Sequence, residues 1–158
     1  MLRGSCLCGG IKYQISGRLA GAMNCHCLMC RKAQGSAFRS RASVKSAEFE
    51  LVRGEELITF YESSPGNYRG FCRVCGSPIL SKFDADPKYF GLPLGALDDD
   101  PGIEPKLHVH VASKAPWFTI TDDLPATWRT GTVGLIERGF RAETHSRDRD
   151  TSESHPSF

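Results

Sequence analysis

Three groups of cysteines carry the chemistry in this sequence: Cys6 and Cys8 in "CLC", Cys25, Cys27 and Cys30 in "CHCLMC", and Cys72 and Cys75 in "CRVCG". Thiolates at these spacings chelate soft divalent metals, and zinc that only holds a fold takes four of them in a closed tetrahedron. A C-x-C in extended chain turns both sulfurs to one face, because side chains repeat every two residues. A C-x-x-C turn gathers two sulfurs on one side of a tight loop, and Gly76 after it lets the chain leave at positive φ. Neither pair fills a metal shell alone, but Cys6, Cys8, Cys72 and Cys75 together do, pinning the start of the domain to its middle. Subtraction leaves Cys25, Cys27 and Cys30 with one coordination position free, which is how catalytic zinc is arranged. The residues alone leave other uses open. A fourth ligand from His26, His108 or His110 would close the second site, although His26, flanked by two ligands, is poorly placed to bind the same ion. An iron–sulfur cluster, a thiol pair cycling through a disulfide, and plain buried thiols complete the alternatives.

Around the triad, Arg31 and Lys32 follow Cys30 directly and would either offset thiolate charge or grip an anionic substrate. In "HVH" the alternation of a strand puts His108 and His110 on one face, toward a site or at the edge of the core. Trp117 and Phe118 read as core residues.

The elements that must position these residues are short. "IKYQI" alternates apolar and polar; "FELV", "LITFYE", "YRGFC", "PILSKF", "KYFGLPLGAL" and "KLHVHVA" are further strand candidates. "SSPGN" is a turn, with proline fixing φ and glycine accepting positive φ. Gly35 argues against a long helix after the triad, and "APWFTITDDLPATW" has too many prolines and β-branched residues for one. Short strands punctuated by Gly and Pro predict a mostly β domain over 1–143, with a short helix expected near 133–142. A polar, charged stretch over 144–158 is expected to be a disordered tail.

Composition narrows the function classes. With 158 residues the chain fits one domain, and its 7 cysteines, an odd number, do not make a fully paired disulfide framework. No apolar run spans a bilayer, and Met1 runs into Arg3 and Cys6 without an apolar leader, so a cytoplasmic protein in a reducing compartment is expected. The formal charge of +2 turns slightly negative once seven thiolates hold two zinc ions, so no general nucleic-acid footprint is expected. "RSRASVK" remains a local basic run. A non-catalytic zinc-stabilised module that binds protein or nucleic acid is therefore the alternative to an enzyme.

With "GSCLCGGIKY", "CHCLMCRKAQGSAF", "SSPGNYRGFCRVCGSPIL" and "LGALDDDPGIEPKLHVHVASKAPWFTITDDLP" in this order, the sequence resembles the glutathione-dependent formaldehyde-activating domain family. The resemblance covers roughly residues 3–126. It implies a zinc-stabilised, β-tent-like fold of several small antiparallel sheets with two zinc ions per chain. Cys6, Cys8, Cys72 and Cys75 map to the structural zinc, and Cys25, Cys27 and Cys30 to the functional one. The implied activity is that of a carbon–sulfur lyase acting on a small thiol, with glutathione and formaldehyde combining to S-hydroxymethylglutathione. Arg31, Lys32 and His110 are the candidate substrate contacts. His110 stands where an aromatic residue is expected in many relatives.

Overall fold

In the computed structural model, which describes residues 1–128, alternating side chains build eleven strands and one short helix, with single 3-10 turns between some of them. Along the chain these are β1 (Leu2–Ser5), β2 (Lys12–Ile15), β3 (Ala20–Cys25), α1 (Leu28–Gln34), β4 (Arg39–Lys45) and β5 (Phe49–Arg53). There follow β6 (Ile58–Ser64), β7 (Asn67–Cys72), β8 (Pro78–Phe83), β9 (Tyr89–Pro93), β10 (His108–Val109) and β11 (Ala126–Thr127). The protein is mostly β, as its short strand patterns indicate. No helix among the described residues is long and apolar enough to cross a membrane.

Two sheets share one core. The smaller has the order β1-β2-β5, and the larger runs β11-β10-β3-β4-β9-β8-β7-β6. Neighbours are antiparallel except around β10, which lies parallel to both β3 and β11. Period-two alternation sends Tyr13 and Ile15 of β2 inward to meet Ala42 and Val44 of β4, Ile79 and Leu80 of β8 and Leu92 of β9. The Tyr13 hydroxyl, deep in this core, donates to the Ala96 carbonyl at 2.8 Å, so its polar tip is satisfied. A smaller apolar cluster of Met23, Leu107 and Val109 packs directly on Cys25 and Cys30.

Several expectations change. Residues 2–5 form β1, and β3 and β4 run through stretches outside the strand candidates; in β4 the arginines and serines mask the alternation. "KLHVHVA" contributes only two paired residues, because His110 turns to φ 58° and ends the strand at Val109. His108 and His110 therefore do not share a strand face. Trp117 is not in the core but 72% exposed, and Phe118 is half-buried outside both apolar clusters, edge-on to Phe38 with ring centroids 5.3 Å apart. The helix expected near 133–142, the boundary at 143 and the tail over 144–158 lie outside the described residues.

Candidate metal centre and its cleft

The first cluster is built from two loops, each closed by a backbone hydrogen bond that ends on a glycine. In one, the Gly9 N–H donates to the Cys6 carbonyl at 2.8 Å; in the other, the Gly76 N–H donates to the Cys72 carbonyl at 2.8 Å. Gly9 and Gly76 sit at φ 70° and 75°, a region that costs a side-chain-bearing residue roughly 1–2 kcal/mol. The loops bring Cys6 Sγ to 3.4 Å from Cys8 Sγ, and Cys8 Sγ to 3.9 Å from Cys72 Sγ. All four sulfurs, including that of Cys75, lie within 4.8 Å of one another. The Ile11 N–H donates to Cys6 Sγ at 3.2 Å, and the Ser77 hydroxyl lies 3.2 Å from Cys75 Sγ. Hydrogen bonding from the Ser77 hydroxyl and then from its N–H draws Cys75 down to about 5. Cys8 stands at about 11: the Gly10 amide lowers it, but Cys6 and Cys75 outweigh that. Such a set loses all its protons only with a cation among the sulfurs, which is the donor chemistry of a metal site.

The second cluster lies where β3 passes into α1. Cys25 ends the strand, Cys27 is the N-cap of the helix, and Cys30 is in its first turn. Cys27 Sγ accepts from the Cys30 N–H at 3.4 Å, filling the role that a serine or aspartate oxygen usually takes. Gly35, at φ 59°, caps the other end after seven helical residues. The three sulfurs lie within 4.8 Å of one another, and no histidine or carboxylate among the described residues completes the set. Here too the thiols share charge unevenly. Hydrogen bonding with Cys27 and then Cys30 pushes Cys25 far up, while hydrogen bonds from Cys25 and Cys27, and then the Arg69 guanidinium, draw Cys30 far down.

His26 and His108 have another occupation. His26 Nε2 is 2.7 Å from His108 Nδ1, and His108 Nε2 is 3.1 Å from both Asp122 carboxylate oxygens. A carboxylate only accepts, so His108 carries its proton on Nε2 and its Nδ1 accepts a hydrogen bond from the His26 Nε2–H. That leaves His26 Nδ1 as a bare lone pair, buried and without a protein partner. Burial, then His108 and the cations Lys114 and Arg31, push His26 down to about 4, so the ring is neutral at pH 7. Neither ring nitrogen of His108 remains available to the cysteines.

A cleft of about 230 Å³ opens beside the three cysteines. Its floor is the sheet face opposite the main core. Cross-strand partners share a face: Cys25↔Arg39 pair at the start of β4, and four residues along the same face Ser43↔Gly91, Ser81↔Gly91 and Arg69↔Ser81 carry it across β9 and β8 to β7. Arg39 is only 4% exposed; its Nη1 donates to the Ser81 hydroxyl at 2.8 Å and its Nη2 to the Gly91 carbonyl at 3.1 Å. Burial pulls this guanidinium down to about 10 against the support of the Cys30 thiolate. Arg69 Nη2 lies 3.6 Å from Cys30 Sγ, and Arg41 lies two residues from Arg39 on the same face. His110 also lines the cleft, brought there by its left-handed backbone. Arg31 and Lys32, in the last turn of α1, are not among its lining residues. Thus "RSRASVK" is β4, an interior strand whose arginines line the cleft. Two arginines at i and i+2 in a strand are the signal that would have found this wall, and Arg69 follows the same alternation.

A β-rich domain that gathers one closed and one open set of cysteine sulfurs defines a class of cysteine-cluster metal-site proteins. Residues 1–113 match the family described as Glutathione-dependent formaldehyde-activating enzyme, and the chain belongs to that family. Among solved structures, a Rhodobacter sphaeroides protein determined by crystallography as a structural-genomics target is similar. It has 26% sequence identity and a TM-score of 0.52 over 65% of this chain and 97% of that one. Comparison with curated proteins finds no match.

Proposed function

We propose that this protein is a zinc-dependent enzyme of the carbon–sulfur lyase type that makes or breaks the adduct of a small thiol with an aldehyde, glutathione with formaldehyde being the pair the family description names. Cys6, Cys8, Cys72 and Cys75 hold a structural zinc ion, and Cys25, Cys27 and Cys30 hold a second. The observation that carries the reading is three sulfurs within 4.8 Å, with no fourth protein ligand among the described residues, at the wall of a cleft. A zinc ion at that cluster would supply Lewis acidity and stabilise a thiolate at neutral pH.

In the forward direction the thiol sulfur bonds to the carbonyl carbon, the C=O π pair moves to oxygen, and the thiol's proton ends on that oxygen. The chain's part is to orient the two reactants and meet the charge that develops on oxygen. That His110 lines the cleft supports it as a substrate contact. Arg31 and Lys32, which follow Cys30 directly along α1 and do not line the cleft, serve by screening thiolate charge. The seven free cysteines suit a reducing compartment.

The test is glutathione titrated into cobalt-substituted protein, read by the sulfur-to-cobalt absorption bands. A saturable change that is lost in Cys27→Ser supports the reading. A fully loaded protein whose bands ignore glutathione rejects glutathione as the thiol.

A further inference from the structure

We propose that the four-cysteine cluster is also a site of oxidative modification: Cys8 is oxidised by a hydroperoxide and then forms a disulfide with Cys72, before the open cluster is touched. The proposal concerns the closed cluster and stands apart from the reaction proposed for the open one.

A thiolate reacts with a peroxide when solvent reaches it, and goes on to a disulfide when a second sulfur is within reach. Of the seven cysteines only Cys8 is exposed; Cys27 and Cys75 are half-buried and the other four are buried. Its surroundings leave it bare. Leu7 beside it is 87% exposed, and no atom stands within 4 Å of where a Gly9 side chain would begin. The open cluster has a cleft in front of it, but its sulfurs are engaged there. Cys25 and Cys30 are buried, Cys27 Sγ accepts the Cys30 N–H at 3.4 Å, and Arg69 Nη2 lies 3.6 Å from Cys30 Sγ. A donor or a fixed cation that stabilises a thiolate also makes it a weaker nucleophile. Cys8 has the Gly10 amide, and its other partners are the sulfurs of its own cluster. Cys6 Sγ lies 3.4 Å from its sulfur and Cys72 Sγ 3.9 Å. A bridge to Cys6 would span the single residue Leu7 and depart from relaxed disulfide geometry, so it would be readily reduced. The bridge to Cys72 crosses between the two loops and joins them as a metal ion does.

The Cys8 thiolate bonds to a peroxide oxygen, and the O–O bond breaks with its electron pair leaving on the other oxygen. Cys8 becomes a sulfenic acid, and the peroxide is reduced. The Cys72 thiolate then bonds to the Cys8 sulfur, and the S–O pair leaves as hydroxide. With hydrogen peroxide, two thiolates, one peroxide and two protons from solvent give one disulfide and two water molecules. A zinc ion bound at the cluster is left with two of its four thiolates, too few for a structural site.

The experiment treats the zinc-loaded full chain with an equimolar amount of hydrogen peroxide, alkylates the remaining thiols in denaturant, and maps bridged peptides by mass spectrometry. Released zinc is read in parallel with a chromogenic chelator. The expected result is a Cys8–Cys72 bridge with Cys25, Cys27 and Cys30 all alkylated, and the loss of one zinc ion for each chain oxidised. Reductant with added zinc should then restore the lost ion. A first bridge among Cys25, Cys27 and Cys30, a bridge from Cys8 only to Cys6 or Cys75, or no bridge even in excess peroxide overturns the proposal. The disulfide map is read without any substrate thiol, so a failure of the lyase reading leaves this result standing, and the reverse holds as well.

Discussion

In the four-cysteine cluster, each pair of sulfurs sits in a loop that ends on a positive-φ glycine and is closed by its own backbone hydrogen bond. In the three-cysteine cluster, the sulfurs come from a strand end, a helix cap and a first helical turn, and the fourth side is an arginine-lined cleft. Both clusters use one type of ligand atom, so ligand chemistry does not separate them. What differs is what the remaining direction faces: more protein in one case, solvent-accessible space with fixed charge in the other. The first arrangement joins residues 6 and 72 across the core, because Cys6 and Cys72 are themselves core residues. The second is supported by its own small apolar cluster and leaves the main core untouched.

The largest expected difference comes from removing one ligand of each set. Cys72→Ser should abolish cooperative thermal unfolding, because structural zinc contributes ~10 kcal/mol or more in small domains, comparable to a whole domain's stability. Circular dichroism that still shows a sharp transition would break the comparison. Cys27→Ser should keep the fold, since serine is a good N-cap, while zinc content falls from two ions per chain to one. Its thermal midpoint is expected to drop by less than about 5 °C. A smaller pair sharpens the contrast: Gly76→Ala and Gly35→Ala both force a side chain to positive φ where nothing stands within 4 Å. Each should lower stability by about 1 kcal/mol, but only Gly76→Ala should weaken metal binding at the first cluster. The smallest effect concerns the strand that leads into Cys6. Arg3 Nη2 pairs with Asp99 at 2.7 Å, and hydrogen bonds from the Arg3 side chain and then its N–H hold Asp99 down at about 2. A depressed carboxylate pKa stabilises above its unfolded value near 4 and ceases to do so as pH falls through the folded value. Midpoints of the unaltered protein and Asp99→Asn should therefore differ slightly at pH 7 and converge toward pH 2; divergence there would reverse the sign.

How much of this was legible in the sequence follows from what each residue type signals alone. The cysteine spacings divide into four and three before any coordinates, because ligand count and spacing are local properties. "PILSKF" appears as β8 with its full length, since its apolar alternation is plain. β4 was hidden because Arg39 and Arg41 hold its cleft-facing positions and Ser43 continues that face, so alternation with the core side reads as a polar stretch. His26 carried no signal of its partner. Its link to His108 depends on β10 lying parallel to β3, a pairing between residues far apart in sequence. His110 was placed on a strand face by alternation, and a single left-handed residue moved it into the cleft.

The buried chain from His26 through His108 to Asp122 has a further consequence for the open cluster. The residue between two ligands is fixed at its side chain by His108 and at its main chain by the Val109 carbonyl, which accepts the His26 N–H at 2.9 Å. The ordering entropy of that ligand loop is thus met by the fold rather than by the ion. On the proposed zinc reading, a site organised in this way would behave as a ready-made socket: ions would exchange at a pace set by thiol protonation and local access, without the domain having to refold around each arrival.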